Sequence, residues 1–282
     1  MVRQGKRVGA TAVGHQVILN LLENVAKRAN EAGANVGVAH QADAARELPA
    51  GIERLANREK SLASLKDGAV VGGTAWLWAH PESNKIVDYL FIDEAGQMSL
   101  AMALAAGQAA KNIILLGDPQ QLDQPQQAHH PHGCGQAALT HILDGAETIP
   151  DEKGLFLPKT WRLHPDICRF TSEQYYNSRL RTDEKCQIQK ISGDSDFVGS
   201  GLILQTVEHS GNLNRSLEEV AVVQNTVEQL LNGKHQWAQY VNGVPTLKPL
   251  SLEDILVVAP FNAQVQALRE SLPEGALVGT VD

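Results

Sequence analysis

Residues 86–97 read Ile86-Val87-Asp88-Tyr89-Leu90-Phe91-Ile92-Asp93-Glu94-Ala95-Gly96-Gln97. The run is apolar at most positions and rich in β-branched and aromatic side chains, the composition of a strand in a helix-covered sheet. It delivers two adjacent acids, Asp93 and Glu94, at its carboxyl end, and in an open α/β sheet that edge is where ligands bind. An Asp there can hold Mg²⁺ through its water shell. A Glu following it can orient and deprotonate the water that attacks in phosphoryl transfer. The plainer reading is a solvated acidic turn after a buried strand.

Working outward, short β-rich runs alternate with amphipathic helical stretches, which predicts a mostly parallel sheet flanked by helices. Strands are expected near residues 7–12, 35–39, 69–73, 86–92 and 112–116. A first helix carries Ile18, Leu21, Leu22, Val25 and Ala29 on one face, with Gly33 as its stop. A second, more charged helix is expected over residues 51–66. Residues 118–136 are rich in Gln, Pro and His without periodicity and predict a long surface loop.

A second α/β unit begins near Lys153. Its helix over residues 216–231 opens on a capping box, Ser216 with Glu219, and buries Val220, Val223, Val227, Leu230 and Leu231. A strand over 255–259, a helix over 263–272 and a strand-like stretch over 277–281 follow. Asn242-Gly243 predicts a type I′ hairpin turn, and Pro245 confines that hairpin to an edge.

Two further clusters carry chemistry. Residues 112–122, Asn112-Ile-Ile-Leu-Leu-Gly-Asp-Pro-Gln-Gln-Leu122, again end a strand on polar groups. Gly117 and Asp118 set Gln120 and Gln121 on the rim of the same sheet edge, where an amide can read a γ-phosphate; a simple turn is the alternative. Residues 160–166, Thr160-Trp-Arg-Leu-His-Pro-Asp166, place Arg162 at the start of the second unit. It suits an arginine finger, or a surface cation stacked on Trp161.

With 282 residues, 43% of them hydrophobic, the chain can bury one large or two medium cores. Three cysteines, Cys134, Cys168 and Cys186, lack any C-x-x-C spacing, so a disulfide framework and a Cys-based zinc site are not indicated and a reducing cytoplasm fits. No signal-peptide core occurs, and no run approaches the roughly 18 apolar residues of a membrane helix. A net charge of −8 argues against electrostatic coating of nucleic acid, while leaving room for a narrow basic channel. His129, His130, His132 and Cys134 have zinc-ligand side chains but no second ligand pair, so the expectation there is a polar loop.

Taken together and in order, the three clusters resemble the superfamily 1 helicases of the group that contains the nonsense-mediated-decay helicase and the replication nuclease-helicase. Asp93-Glu-Ala-Gly-Gln97 is similar to helicase motif II, Gly117-Asp-Pro-Gln-Gln-Leu122 to motif III and Trp161-Arg-Leu-His-Pro165 to motif IV. Residues 6–12 with His15 resemble motif Ia. Residues 70–76 resemble the strand preceding motif II, residues 257–264 the Pro-aromatic-x-x-Gln segment and residues 278–282 the first half of motif V. The stretch over 164–173 looks closest to bacterial members whose helicase follows a RecB-like nuclease domain.

The resemblance implies tandem RecA-like parallel sheets, the first over residues 1–152 and the second over 153–282, both incomplete. It implies ATP and Mg²⁺ as cofactors and single-stranded DNA or RNA as partner. Asp93 would serve Mg²⁺, Glu94 the water, Gln121 the γ-phosphate and Arg162 the transition-state charge. Gln97, Gly117, Asp118 and Gln264 would lie at the nucleotide, and Thr11, Thr74 and Thr280 along the strand's phosphates.

The departures are as informative. No G-x-x-x-x-G-K-[ST] occurs, so the nest of N–H groups and the Lys that hold phosphates are absent from this sequence. In the family that loop lies just upstream of the segment resembled by residues 6–12, which implies that Met1 follows it. The rest of motif V and the arginine of motif VI are likewise missing, and the usual Tyr before the motif IV Arg is Trp161. The implied function is a piece of an ATP-driven helicase or translocase, inactive alone. A non-catalytic nucleic-acid-binding module is the alternative, and a different P-loop ATPase fits the motif III and IV elements less well.

Overall fold

A computed structural model describes residues 1–66, 68–122, 131–241 and 243–281, with the side chain of His132 left aside. The chain forms two compact units, Met1–Phe156 and Leu157–Asp282.

In the first unit the chain runs β1 (Val8–Thr11), α1 (His15–Glu31), β2 (Val38–Gln41), β3 (Glu53–Leu55), α2 (Arg58–Lys66), β4 (Val70–Gly72), α3 (Ala75–Trp78), β5 (Val87–Ile92), α4 (Leu100–Gly107), β6 (Ala110–Leu115) and α5 (Ala138–Leu143). Six strands form one sheet in the order β3-β2-β4-β1-β5-β6, and every neighbouring pair is parallel. This is the mixed α/β fold expected, a helix-flanked parallel sheet of RecA-like kind. The central strands β1 and β4 are buried at every position, and adjacent residues serve different cores, Val70 packing with Ile18 and Leu22 while Val71 packs with Trp78 and Leu90. A strand's period of two distributes its side chains this way between the two faces. Two glycines make the helices fit: a Cβ on Gly72 would lie 2.6 Å from Leu22, and one on Gly9 would lie 2.8 Å from Trp78.

The expected helix over 51–66 is a strand followed by a shorter helix. Glu53–Leu55 pairs in parallel with Ala39–Gln41, and the helix starts only at Arg58, where Asn57 Oδ1 accepts the Lys60 N–H at 3.0 Å as a cap. Strand pairing with a distant segment outweighed local helical periodicity. β2 and β6 are displaced by one to three residues from the expected ranges.

The second unit contains β7 (Lys159–Thr160), α6 (Pro165–Tyr175), β8 (Arg181–Thr182), β9 (Ile191–Ser192), α7 (Leu217–Asn232), β10 (Gln236–Val241), β11 (Val244–Pro249), β12 (Leu256–Val258), α8 (Asn262–Ser271) and β13 (Leu277–Gly279). Its parallel pairing is confined, among the described residues, to the two-stranded ribbons β12-β13 and β7-β8, beside an antiparallel sheet in the order β11-β10-β9. The apolar residues of β12 and β13 are correctly placed in strands, yet Leu256 and Leu277 remain exposed, so the expected second parallel sheet, incomplete as implied, is here a short ribbon on α7 and α8. β10 and β11 form the expected hairpin, with Pro245 on the edge strand; Asn242 of the expected type I′ turn lies outside the described residues.

α7 begins at Ser216, whose hydroxyl accepts the Glu219 N–H at 3.2 Å. The capping box is not reciprocal, because the Ser216 N–H goes to Gln264 Oε1 at 2.7 Å. Among the described residues no helix is long and apolar enough to cross a membrane.

Candidate functional site

The acidic turn after β5 and the polar turn after β6 are built as one object. Parallel pairing runs to Ile92 and Leu115, and two backbone bonds carry it into the turns: Leu116 N–H to Ile92 O and Ala95 N–H to Leu116 O, both 2.8 Å. The turns then press together at two glycines. A Cβ on Gly96 would lie 2.5 Å from Asp118 O, and one on Gly117 would lie 2.8 Å from Ala95 N. On the following side the turn is tied to the start of α5, with Ala138 N–H bonded to Met98 O at 2.8 Å.

Asp93 sits at the mouth of this construction. Its N–H donates to Thr11 O at 2.8 Å, fixing it across β1. Oδ1 accepts the Glu94 N–H at 3.1 Å. Burial pushes the carboxyl's pKa upward, and the Glu94 N–H opposes this. A half-buried carboxylate of hard oxygen donors, disfavoured by its own surroundings, suits a divalent cation such as Mg²⁺. Glu94 is half-buried and has φ +50°, a left-handed conformation uncommon for a long side chain.

Asp118 organises the second turn. Oδ1 accepts the Gln120 N–H at 3.0 Å and Oδ2 accepts from Gln121 Nε2 at 3.4 Å. Gln120 Nε2 in turn donates to Glu147 O at 2.9 Å. Gln121 is exposed on the rim, and Gln97 lies half-buried in the acidic turn. Thus Asp93, Glu94, Gln97, Gly117, Asp118 and Gln121 come together at one sheet edge, with Gly117 there for backbone approach.

Other expected residues fall elsewhere. Thr11 is completely buried and its hydroxyl lacks a partner, so it is not a surface contact for a strand's phosphates; its place is inside the sheet, at the tie to Asp93. Thr74 is half-buried ahead of α3, and its side chain makes no cap bond. In the second unit, Gln264 is 6% exposed and both amide atoms are engaged with the Ser216 backbone, Oε1 as above and Nε2 to Ser216 O at 3.1 Å. Its expected role at a nucleotide gives way to holding the start of α7. Arg162 is exposed, and the cation over the Trp161 ring is Lys159, 4.7 Å from its centroid. Thr280 is half-buried after β13.

His129 and His130 lie outside the described residues. Among the described residues no group of three or more His, Cys, Asp or Glu is placed to hold a metal ion.

A feature with no signal in residue spacing is a histidine pair behind the edge. His15 Nδ1 and His40 Nε2 are 2.9 Å apart, and His40 Nδ1 lies 3.1 Å from Gly72 O. A carbonyl only accepts, so His40 Nδ1 carries the hydrogen, His40 Nε2 is the acceptor and His15 Nδ1 the donor. Burial and the neighbouring His15 lower the His40 pKa to about 4.

A helix-flanked parallel sheet of this kind is the architecture of RecA-like domains, and comparison with known proteins gives the family. The family described as "AAA domain" matches residues 139–282, and the "Viral superfamily 1 RNA helicase core domain" matches residues 69–142. The chain belongs to this AAA-domain family and carries superfamily 1 helicase domains. It is 27% identical over 219 residues to the Homo sapiens "3'-5' exoribonuclease HELZ2", covering 70% of this chain and 7% of that protein. It is 26% identical over 202 residues to the "DNA polymerase alpha-associated DNA helicase A" of Schizosaccharomyces pombe, covering 69% and 30%. With the Homo sapiens "Probable helicase senataxin" it shares 24% over 199 residues, covering 65% and 7%. The chain therefore spans less than a third of the length of these relatives.

Proposed function

We propose that this chain supplies the metal-and-water half of the ATP site, and part of the single-strand track, of a superfamily 1 helicase or translocase. The observation that carries this reading is the backbone interlock of the Asp93-Glu94 turn with the Gly117–Gln121 turn at the ends of adjacent parallel strands. It fixes a carboxylate pair and an amide on one rigid edge, as positioning in phosphoryl transfer requires.

In this reading Asp93 would help to hold Mg²⁺, which when bound would supply positive charge against the phosphates. Glu94 orients the attacking water and takes its proton, and the amide of Gln121, oriented by Asp118, donates to the γ-phosphate. Arg162 stabilises the charge of the transition state. The sequence supplies no G-x-x-x-x-G-K-[ST], so we infer that the chain alone does not turn over ATP. Residues 164–173 support membership of the bacterial group whose helicase follows a RecB-like nuclease domain. The names of relatives as helicases support a nucleic-acid partner.

The test is phosphate release in a motor that joins this chain to a G-x-x-x-x-G-K-[ST] segment ahead of residue 6 and to the remainder of motif V and motif VI after residue 282. Glu94→Gln is expected to abolish hydrolysis while preserving ATP binding, and Arg162→Ala to slow it by about 10³-fold, as removal of an arginine finger does. Normal hydrolysis by both variants overturns the reading. For the chain alone, turnover near ~1 per second with excess single strand overturns its inactivity.

A further inference from the structure

The short helix α3, Ala75–Trp78, holds two tryptophans with opposite fates. Trp78 is completely buried, and its indole N–H donates to both Ala10 O and Gly73 O at 3.2 Å. Leu77 is buried beside it, and a Cβ on Gly73 would lie 2.4 Å from Leu77. The helix is thus pinned to the carboxyl ends of β1 and β4 and cannot roll to bury another face. Trp76 is left 82% exposed, two residues after Thr74 and alone in facing solvent from this helix.

We propose that Trp76 is a stacking platform for an unpaired nucleobase of a single strand that passes the carboxyl edge of β1 and β4. The assignment rests on the helicase reading above and adds a base contact to it. A protein-docking patch needs a contiguous apolar surface, whereas a single exposed indole on a pinned helix, with Ala75 and Leu77 buried on either side, offers the area of one base. Stacking is also the contact that suits this chain: a net charge of −8 weakens attraction to phosphates, while a π-face binds any base without charge. The residues matched by the viral RNA helicase core, 69–142, include Trp76.

The experiment is fluorescence anisotropy on the full chain with a labelled oligothymidine about 12 nucleotides long and an abasic strand of equal length, at low and moderate salt. The parent is expected to favour the base-bearing strand by about 5- to 150-fold, the range of one aromatic stack. Trp76→Ala should lose that preference by the same factor at both salt concentrations, and Trp76→Phe should retain part of it. Because the side chain is exposed, both variants should melt with the parent, which removes misfolding as an explanation. Equal affinity of Trp76→Ala and parent for oligothymidine overturns the stacking assignment and leaves strand binding standing. Failure of the parent to bind either strand overturns both.

Discussion

Gly96 passes so close to Asp118 that a Cβ on the glycine would lie 2.5 Å from the Asp118 carbonyl oxygen, and Gly117 stands in the same relation to the Ala95 nitrogen at 2.8 Å. Backbone cannot yield as a flexible side chain can. Gly96→Ala and Gly117→Ala should therefore each destabilise the first unit by about 1–3 kcal/mol, the usual cost of overpacking. Gly279→Ala, with nothing within 4 Å of its Cβ, should stay within about 0.5 kcal/mol of the parent. Urea unfolding of the three variants decides the point, and a Gly96→Ala protein as stable as the control refutes the interlock.

The strand ends that carry Asp93 and Asp118 could be read from sequence because long apolar runs terminate in polar residues. The contact between their turns could not, since a backbone approach is written only as a glycine that has many other uses. Glu53–Leu55 is too short to show alternation, and its identity as a strand comes from pairing with residues 39–41. Gln264 follows the same logic: its motif suggests a ligand, while its burial against Ser216 depends on how α7 and α8 pack. Nothing in the distance between residues 15 and 40 encodes the histidine pair.

Asp93 is held in surroundings that disfavour its charge, burial outweighing the Glu94 N–H. With the folded pKa raised, the native state binds the proton more tightly than the unfolded chain, so this contribution to stability is present at low pH and lost as pH rises through the folded value. Asp93→Asn keeps an acceptor for Glu94 and removes the charge. At neutral pH it should stabilise the first unit, by about 0.5–2 kcal/mol as substitutions at functional sites often do. A lower melting temperature in metal-free buffer contradicts this.

His40 titrates in the opposite sense from a paired histidine. Its pKa falls from 6.5 to about 4 through burial and the adjacent His15, with Arg46 and Arg54 adding positive charge and the Gly72 carbonyl opposing them; Asp43 and Arg46 act on His15. The unfolded chain takes up a proton below pH 6.5 and the native state does not until about 4, so stability declines as pH falls through that window. At 1.36 kcal/mol per pH unit the ceiling is about 3 kcal/mol. Denaturant unfolding at pH 7.5, 6 and 5 should show the decline, and His40→Asn should flatten it. An equally steep profile in the variant assigns the effect to other groups.

Gln264 offers the sharpest separation of a structural role from a ligand role. Its Oε1 accepts the Ser216 N–H at 2.7 Å and its Nε2 donates to Ser216 O at 3.1 Å, with Glu219 Oε2 a further 3.5 Å neighbour. Gln264→Ala leaves both buried Ser216 groups without that partner, and loss of a buried hydrogen-bond partner costs about 1–3 kcal/mol. Gln264→Glu keeps the acceptor for the N–H but sets an anionic oxygen against a carbonyl and the Glu219 carboxylate. Those neighbours raise the new group's folded pKa, so the Glu variant should be weakest at neutral pH and regain stability as pH falls toward the ordinary carboxylate range, where a protonated carboxyl can donate to Ser216 O. The alanine variant has no such group and should lack that recovery. Urea unfolding followed by tryptophan fluorescence, in which Trp161 and Trp237 report on the second unit and Trp76 and Trp78 on the first, measures these effects. If Gln264→Ala unfolds with the parent and the Glu variant shows no recovery at lower pH, the clamp on Ser216 contributes nothing and the glutamine is free for another role.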